Sequence, residues 1–326
     1  MRRLASFAFL AITALSSSVA FADSNDTKWP ERPVTVIVPS AAGGSADVLT
    51  RIVVKHIAQG MGANFVIENR PGAAGGIGMA AIKRAAPDGY TLGYGNINTL
   101  AVNPSLFNTL PYATTDFTTV GPMFALSNLV VVNADSPAQT LADLIAMAKK
   151  KPGSLTYAAA GIGSSGHMGG ELFKKMAGID TLFVPYNGDP ASLQDLVGGR
   201  LDYTVTNASV ANPLIKSGKL RALGITSLQR DPLFADIPTL NEQGLNGYEN
   251  ISWGGLVFPK GTPDPIVQRL ASELQNVLKS EALHKDLATA GAMPGKGSRE
   301  EFDAFIVREQ KKWADLITSA NIEKQN

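Results

Sequence analysis

The chain has 326 residues, of which 44% are hydrophobic and none is cysteine, and its formal net charge is +1. The lack of cysteine excludes disulfides, thiolate metal sites and cysteine nucleophiles. The nearly balanced charge argues against nucleic acid or an anionic membrane surface as a partner, and the length predicts two lobes with separate cores.

The first 22 residues have the pattern of an export signal. Arg2 and Arg3 form a basic start, an apolar run extends from Phe7 to Leu15, and Ala20-Phe21-Ala22 has the small-x-small pattern of a cleavage site. An uncleaved anchor is the alternative, but the apolar run is shorter than the roughly 18 residues that a spanning helix needs. The sequence therefore predicts an exported protein that is cleaved near Ala22.

A strand, a glycine-rich loop, a helix and a second strand follow one another early in the chain. The β-branched run Val34–Val38 predicts a buried parallel strand, and it leads into the loop at residues 40–47. Apolar residues at helical spacing from Val48 to Ile57 predict a helix, and residues 65–67 predict the next strand. This βαβ unit should place its two strands parallel in one sheet.

The same plan recurs later without any sequence repeat. A strand is predicted at residues 155–158, a glycine-rich loop at 161–167, a helix through Phe173, and a strand at 182–184. Two such units predict an α/β protein with two similar halves.

Further elements are predicted between and after these units. Strands are expected at residues 90–94, 129–132, 203–206 and 220–223, a compact turn at 76–81, a helix capped at Thr140, and terminal helices through Leu270 and from Ser298. The turn-rich segment at 236–247 is interpreted as a hinge crossing between the lobes.

The two glycine-rich loops are candidate anion sites. Glycine lets the backbone approach a ligand, and the first turn of the following helix offers unpaired N–H groups and the positive end of its dipole. Neither loop contains lysine or arginine, so amides and hydroxyls should hold a small carboxylate rather than a polyphosphate. Asp47 lies in the first helical turn, where it stabilises the helix start and would orient the loop or accept a hydrogen bond from a ligand ammonium group or water.

One loop also matches the dinucleotide fingerprint, as Gly161-x-Gly163-x-x-Gly166. The fingerprint requires an acidic residue at the end of the next strand, where this chain has Pro185-Tyr186-Asn187 and only then Asp189. The fit is poor, and an NAD-dependent oxidoreductase remains the alternative from a different class.

Neither a metal site nor a catalytic constellation is predicted. His167 and Glu171 lie four residues apart and could share a helix face, but two ligands without a third do not make a metal site. The serines lack a G-x-S-x-G elbow, and the nearest base to a serine is His167. We interpret His167 as a helix-start residue near the cleft and predict a protein that is not an enzyme and has no cofactor.

Polar residues also follow several predicted strands, at the edge where open α/β sheets bind ligands. Turn formation is the alternative role for each of them. With the two loops, they give the candidate ligand-binding residues Ser40, Ala41, Ala42, Gly43, Gly44, Ser45, Asp47, Asn96, Gly161, Gly163, Ser164, Ser165, His167, Tyr186, Asn187 and Asn207.

A series of motifs in fixed order resembles the Bug (Bordetella uptake gene) receptors, the periplasmic solute-binding proteins of tripartite tricarboxylate transporters. The motifs include Gly43-Gly44-x-x-Asp47-x-x-x-Arg51, Glu68-Asn69-Arg70-Pro71-Gly72-Ala73, His167-x-x-Gly170-Glu171-Leu172-Phe173 and Pro259-x-Gly261-Thr262-Pro263. The resemblance covers essentially the whole chain after the export signal.

The resemblance implies an α/β, two-lobed periplasmic-binding-protein-like clamshell, each lobe a mostly parallel sheet flanked by helices. Lobe 1 would comprise residues 27–126 plus 247–326, and lobe 2 residues 127–246. It also implies a periplasmic receptor that captures a small organic mono- or dicarboxylate and delivers it to membrane permease subunits. We expect a monomer, and a binding protein that signals to a sensor is a further alternative. The family usually has an aromatic residue at the position of Ser40 and a threonine or asparagine at that of Ala46, so this pocket should be larger and its preference different.

Overall fold

A computed structural model describes residues 28–326; the predicted export signal and its cleavage near Ala22 lie outside the described residues. The strands are β1 (Val34–Val38), β2 (Phe65–Asn69), β3 (Thr91–Asn96), β4 (Phe117–Asn133), β5 (Thr156–Ala159), β6 (Leu182–Pro185), β7 (Tyr203–Asn207), β8 (Leu220–Ile225), β9 (Ile251–Pro259) and β10 (Met293–Pro294). The α-helices are α1 (Ser45–Met61), α2 (Gly76–Arg84), α3 (Asn103–Leu106), α4 (Leu141–Lys150), α5 (Ser165–Ala177), α6 (Asp189–Val197), α7 (Ala208–Lys216), α8 (Asp264–Val277), α9 (Glu281–Thr289) and α10 (Arg299–Ser319).

Both predicted βαβ units are present, one in each half of the sheet. In the first half, β1 pairs in parallel with β2 and β3. In the second half, β5 pairs in parallel with β6 and β7. The α/β two-lobed fold class is therefore confirmed, and the loops that precede α1 and α5 occupy equivalent places in the two lobes.

Two strands cross between the lobes, and they make each sheet mixed rather than mostly parallel. The first part of β4 pairs with β9, and its last part pairs with β7 and β8, so that one 17-residue strand belongs to both halves. Since β4 leaves the first lobe and β9 returns to it, the two strands run antiparallel to each other and to their neighbours.

The hinge crossing predicted at residues 236–247 is wrong. Leu240 and Leu245 are buried in the core of the second lobe, and the N–H of Leu240 donates to the carbonyl of Ile225. The turn pattern identified irregular backbone, whereas the crossing is made by extended strands whose apolar sequence resembles that of any buried strand.

The compact turn predicted at residues 76–81 is also wrong, because these residues begin α2. A Cβ atom on Gly78 would lie 2.6 Å from the Cβ of Pro39, at the end of β1. The glycine therefore lets α2 pack closely on the sheet rather than turn the chain.

Apolar side chains cover both faces of the sheet in four buried clusters. The cluster around Leu270 lies in the first lobe, and those around Tyr203 and Leu196 lie in the second. The cluster around Trp313 lies mainly in the first lobe and also includes Met168 of α5. Among the described residues, no helix has both the length and the apolar character to cross a membrane.

Candidate functional site

The first turns of α1 and α5 meet at the crossing strands. Ser45 and Ser165 are the first residues of the two helices, and both reach the same part of the floor, formed by β7 and β9. The Oγ of Ser252 lies 2.6 Å from the Oγ of Ser165 and 3.1 Å from the Oδ1 of Asn207, and the Nδ2 of Asn207 donates to the Oγ of Ser45 at 2.9 Å. The two predicted loops therefore face one cleft.

Asp47 holds the first loop in shape from the third position of α1. Its buried carboxylate accepts hydrogen bonds from the N–H of Gly43 at 2.9 Å, from Arg51 at 2.9 Å and from Asn69 at 3.0 Å. Asn69 also donates to the carbonyl of Ser40 at 3.1 Å. Burial alone would raise the pKa of Asp47, but the hydrogen bonds from Arg51, Gly43 and Asn69 bring that pKa below its ordinary value.

His167, at the third position of α5, holds the second loop in shape in the same way. Its Nδ1 accepts a hydrogen bond from the N–H of Gly163 at 3.2 Å, and its ring stacks on Phe183 with 4.1 Å between centroids. Gly43 and Gly163 have φ values of +79° and +76°, which L side chains rarely adopt. In both loops a glycine N–H is thus tied to the side chain four residues ahead.

The imidazole of His167 is neutral. The pKa of His167 is lowered to about 4, mainly by burial; Glu171 opposes the shift and Lys174 adds to it. Because Nδ1 accepts from Gly163, the ring proton lies on Nε2. The hydrogen bond between Nδ1 and the N–H of Gly163 fixes the second loop, and it leaves Nδ1 unavailable to a ligand.

We expect acid to destabilise the fold through His167. Its pKa of about 4 in the folded state lies below the ordinary 6.5, so between these pH values the unfolded chain binds a proton that the folded chain does not. Stability is therefore lost as the pH falls from 6.5 to 4, by about 3 kcal/mol over the whole window. Urea unfolding of the wild type and of His167→Asn at pH 7 and at pH 4.5 should show the larger loss in the wild type.

The asparagine variant is the matched comparison, since its carboxamide oxygen can accept from Gly163 but does not titrate. Asp189, whose pKa burial raises to about 6, contributes the opposite slope and is present in both proteins. Equal acid losses in the two proteins would show that His167 is not the group responsible.

Each first turn leaves amides that can receive an anion. The N-cap of α1, Gly44, has no side chain to occupy the N–H groups of Ser45 and Ala46. In α5 the Oγ of Ser164 accepts from the N–H of His167, which leaves the amides of Ser165 and Gly166 as the open pair.

Several predicted strand-end residues have local partners instead. Asn96 caps a helical turn by accepting from the N–H of Thr99 at 3.0 Å. The hydroxyl of Tyr186 donates to Asp195 at 2.7 Å, while Asn187 is exposed at the end of β6. For Asn96 the structure supports the alternative role of turn formation. The hydroxyl of Tyr186 is hydrogen-bonded to a residue of its own lobe.

The buried polar residues of the crossing strands were missed in the sequence. Asn128 on β4 and Asn250 before β9 are fully buried and Ser252 is partly buried; Asn250 Nδ2 donates to the carbonyl of Ser165 at 2.7 Å. Their signal was available, because Ser127 and Asn128 interrupt the apolar run of residues 122–132 and buried amides need partners or a ligand.

A separate groove of about 650 Å³ lies between α10 and strands β4 and β9. Trp253, Phe302 and Phe305 form an aromatic wall, with the indole edge-on to the phenyl rings at 5.7 and 5.1 Å. Neither glycine-rich loop contributes to this groove. Across the described residues, no group of three or more histidine, cysteine, aspartate or glutamate side chains is arranged to hold a metal ion.

The glycines of the dinucleotide fingerprint have structural explanations here. A Cβ on Gly166 would lie 2.1 Å from the carbonyl oxygen of Val205, so this glycine permits helix–sheet contact, and the N–H of Gly163 is bonded to His167.

Two α/β lobes joined by crossing strands, with a helix N-terminus from each at the cleft, define a solute-binding protein of the periplasmic type.

The chain belongs to the tripartite tricarboxylate transporter family receptors, whose family profile matches residues 49–322. It is 33% identical to the protein BugT of Bordetella pertussis over 312 residues, covering 95% of both chains. These matches confirm the resemblance to the Bug receptors and identify a receptor rather than an enzyme; they give no support to the oxidoreductase or sensor alternatives.

Solved structures agree with this family over nearly the whole chain. The R. palustris protein Rpa4515 with adipate is 35% identical with a TM-score of 0.86, over 91% of this chain and 100% of that one. MatC of Rhodopseudomonas palustris with bound malate is 31% identical with a TM-score of 0.80, over 89% of this chain and 100% of that one. The family and its solved neighbours are periplasmic binding proteins.

Proposed function

We propose that this receptor captures a small organic mono- or dicarboxylate between the first turns of α1 and α5 and delivers it to the membrane permease subunits of its transporter. The observation that supports this most strongly is that Ser45 bonds to Asn207 and Ser165 to Ser252, two floor residues that are hydrogen-bonded to each other. Two helix N-termini at one cleft offer two sets of N–H donors and two positive dipole ends to an anion.

The charge of the site favours a carboxylate over a phosphate ester or polyphosphate. Arg51 lies near the first loop, but its guanidinium is paired with Asp47 at 2.9 Å. Amides and hydroxyls remain to hold the anion, and they suit one negative charge at each helix end. The adipate and malate in the related structures are both dicarboxylates, so a ligand with a carboxylate at each end fits this arrangement.

The proposal also includes the bounds of the lobes, the oligomeric state and the residues that contact the ligand. Lobe 1 comprises residues 27–126 plus 247–326, lobe 2 comprises 127–246, and the protein acts as a monomer after cleavage near Ala22. Of the predicted ligand residues, the loops at 40–45 and 161–165 contact the ligand, whereas Asp47 and His167 shape those loops. A ligand that touches both lobes favours the closed form, because only unequal affinity for the two forms can shift their populations.

Thermal unfolding against a panel of ligands tests the proposal. Adipate, malate, citrate, benzoate and nicotinate should include at least one acid that raises the melting temperature with increasing concentration, as ligands of the native state do. The uncharged diamide of adipate is the matched control and should give no shift. A rise with sugars or inorganic cations and none with any organic acid would contradict the proposal.

A further inference from the structure

A continuous series of hydrogen bonds connects the two lobes along the floor of the cleft. We call this series the interlobe chain; it consists of Ser45 on α1, Asn207 at the end of β7, Ser252 on β9 and Ser165 on α5. The three links measure 2.9, 3.1 and 2.6 Å in that order. It therefore joins the first residues of the two helices that face the cleft.

The two ends of the interlobe chain are anchored unequally. At the α5 end, Asn250 Nδ2 donates to the carbonyl of Ser165 at 2.7 Å, and Tyr248 donates to the carbonyl of Gly169 at 2.8 Å. A Cβ on Gly169 would lie 2.0 Å from Asn250 Nδ2, so α5 lies directly against the crossing segment. The α5 end is thus fixed to the floor.

At the α1 end, a single hydrogen bond joins α1 of the first lobe to β7 of the second. The Oγ of Ser45 accepts from Asn207, and Ser45 is only half-buried. Movement of α1 away from β7 must break this hydrogen bond, while the Asn207–Ser252 and Ser252–Ser165 links lie at the crossing strands and can persist.

Both polar atoms of the Asn207 side chain are used within the interlobe chain. Its Oδ1 accepts from Ser252 at 3.1 Å and its Nδ2 donates to Ser45 at 2.9 Å. In the structure the amide oxygen faces Ser252 and the nitrogen faces Ser45, and each serine hydroxyl can serve as the partner that this orientation needs. The nitrogen has two N–H donors, of which one is used by Ser45.

We propose that Asn207 is a positioning residue that latches the two lobes through Ser45, with Ser252 setting the orientation of its amide. This inference rests on the proposed closure around a ligand, and it gives Asn207 a latching role in addition to the predicted ligand contact. The latch stabilises the closed form before any ligand arrives, so it raises the apparent affinity without touching the ligand.

Distances between the lobes in ligand-free protein test the latch. Because the chain has no cysteine, spin labels can be placed cleanly through Gln59→Cys on α1 and Gln194→Cys on α6, two exposed sites in different lobes. Pulsed electron resonance on Ser45→Ala should show the longer, open distances increased about fivefold relative to the closed ones, as expected for loss of one hydrogen bond. Ser45→Thr retains the hydroxyl and should match the parent protein.

A second variant separates the latch from a ligand contact. Ser252→Ala frees the amide of Asn207 to rotate, and combining it with Ser45→Ala should open the lobes no further than Ser45→Ala alone. Unchanged ligand-free distances in Ser45→Ala would overturn the latch, even if its ligand affinity fell. Failure of the proposed function is a different result, since adipate, malate, citrate, benzoate and nicotinate would then all leave the melting temperature of the parent protein unaltered.

Discussion

Replacement of Gly166 by alanine is expected to lower the free energy of unfolding by about 3 kcal/mol and to weaken carboxylate binding strongly. The added Cβ would lie 2.1 Å from the carbonyl oxygen of Val205 and 3.0 Å from the Cβ of Ala159. Neither atom is the end of a flexible side chain, so α5 must move away from the sheet. Its N-terminus, which carries the second loop, would then leave the cleft. Urea unfolding and calorimetric titration with the tightest acid of the panel measure the two effects.

Gly44→Ala is the matched control in the other loop. The φ of Gly44 is −73°, and a Cβ there would meet nothing closer than the carbonyl oxygen of Ala41 at 3.5 Å. We expect a loss of stability below about 1 kcal/mol. Equal losses in the two variants would show that the contact between α5 and β7 is not the reason for the glycine at 166.

Replacement of Asp47 by alanine should lower the free energy of unfolding by about 2 to 3 kcal/mol and the carboxylate affinity at least tenfold. The change removes a buried acceptor and leaves the N–H of Gly43, the guanidinium of Arg51 and the amide of Asn69 without it. The loop from Ser40 would lose its shape, so the amides of α1 would no longer be held at the cleft. The same two measurements, urea unfolding and calorimetric titration, report the effects.

Asp143 provides the comparison, because it occupies the same third position in α4, where its carboxylate accepts a hydrogen bond from the N–H of Thr140. It lies at the surface of the second lobe, away from the cleft. Asp143→Ala should cost less stability than Asp47→Ala and leave the affinity unchanged. If both variants bound the ligand as well as the wild type does, Asp47 would stabilise the start of α1 without shaping the ligand site.

Local patterns in the sequence were sufficient to predict the two βαβ units and the two loops. Each strand of these units is a short apolar run, and each loop is marked by glycines that precede a helical pattern, as at Gly43 and Gly163. Parallel pairing of β1 with β2 and of β5 with β6 then followed from the handedness of the connection.

Long-range contacts could not be predicted in the same way. The apolar pattern of β4 gives no sign that one strand enters both sheets, and the hinge was therefore assigned to a turn-rich segment. The interlobe chain joins Ser45 to Asn207 across 162 residues, and no spacing rule connects such positions. His167 was placed correctly at the helix start, but its bond to Gly163 depends on a loop conformation that only the fold specifies.

A crystal structure of the protein with the acid that gives the largest thermal shift would show directly where the ligand binds. We expect carboxylate oxygens of the ligand within hydrogen-bond distance of the first-turn amides of both α1 and α5, with Asp47 and His167 still bonded to Gly43 and Gly163. A ligand seated instead in the groove against α10, with the cleft filled by water, would contradict this expectation.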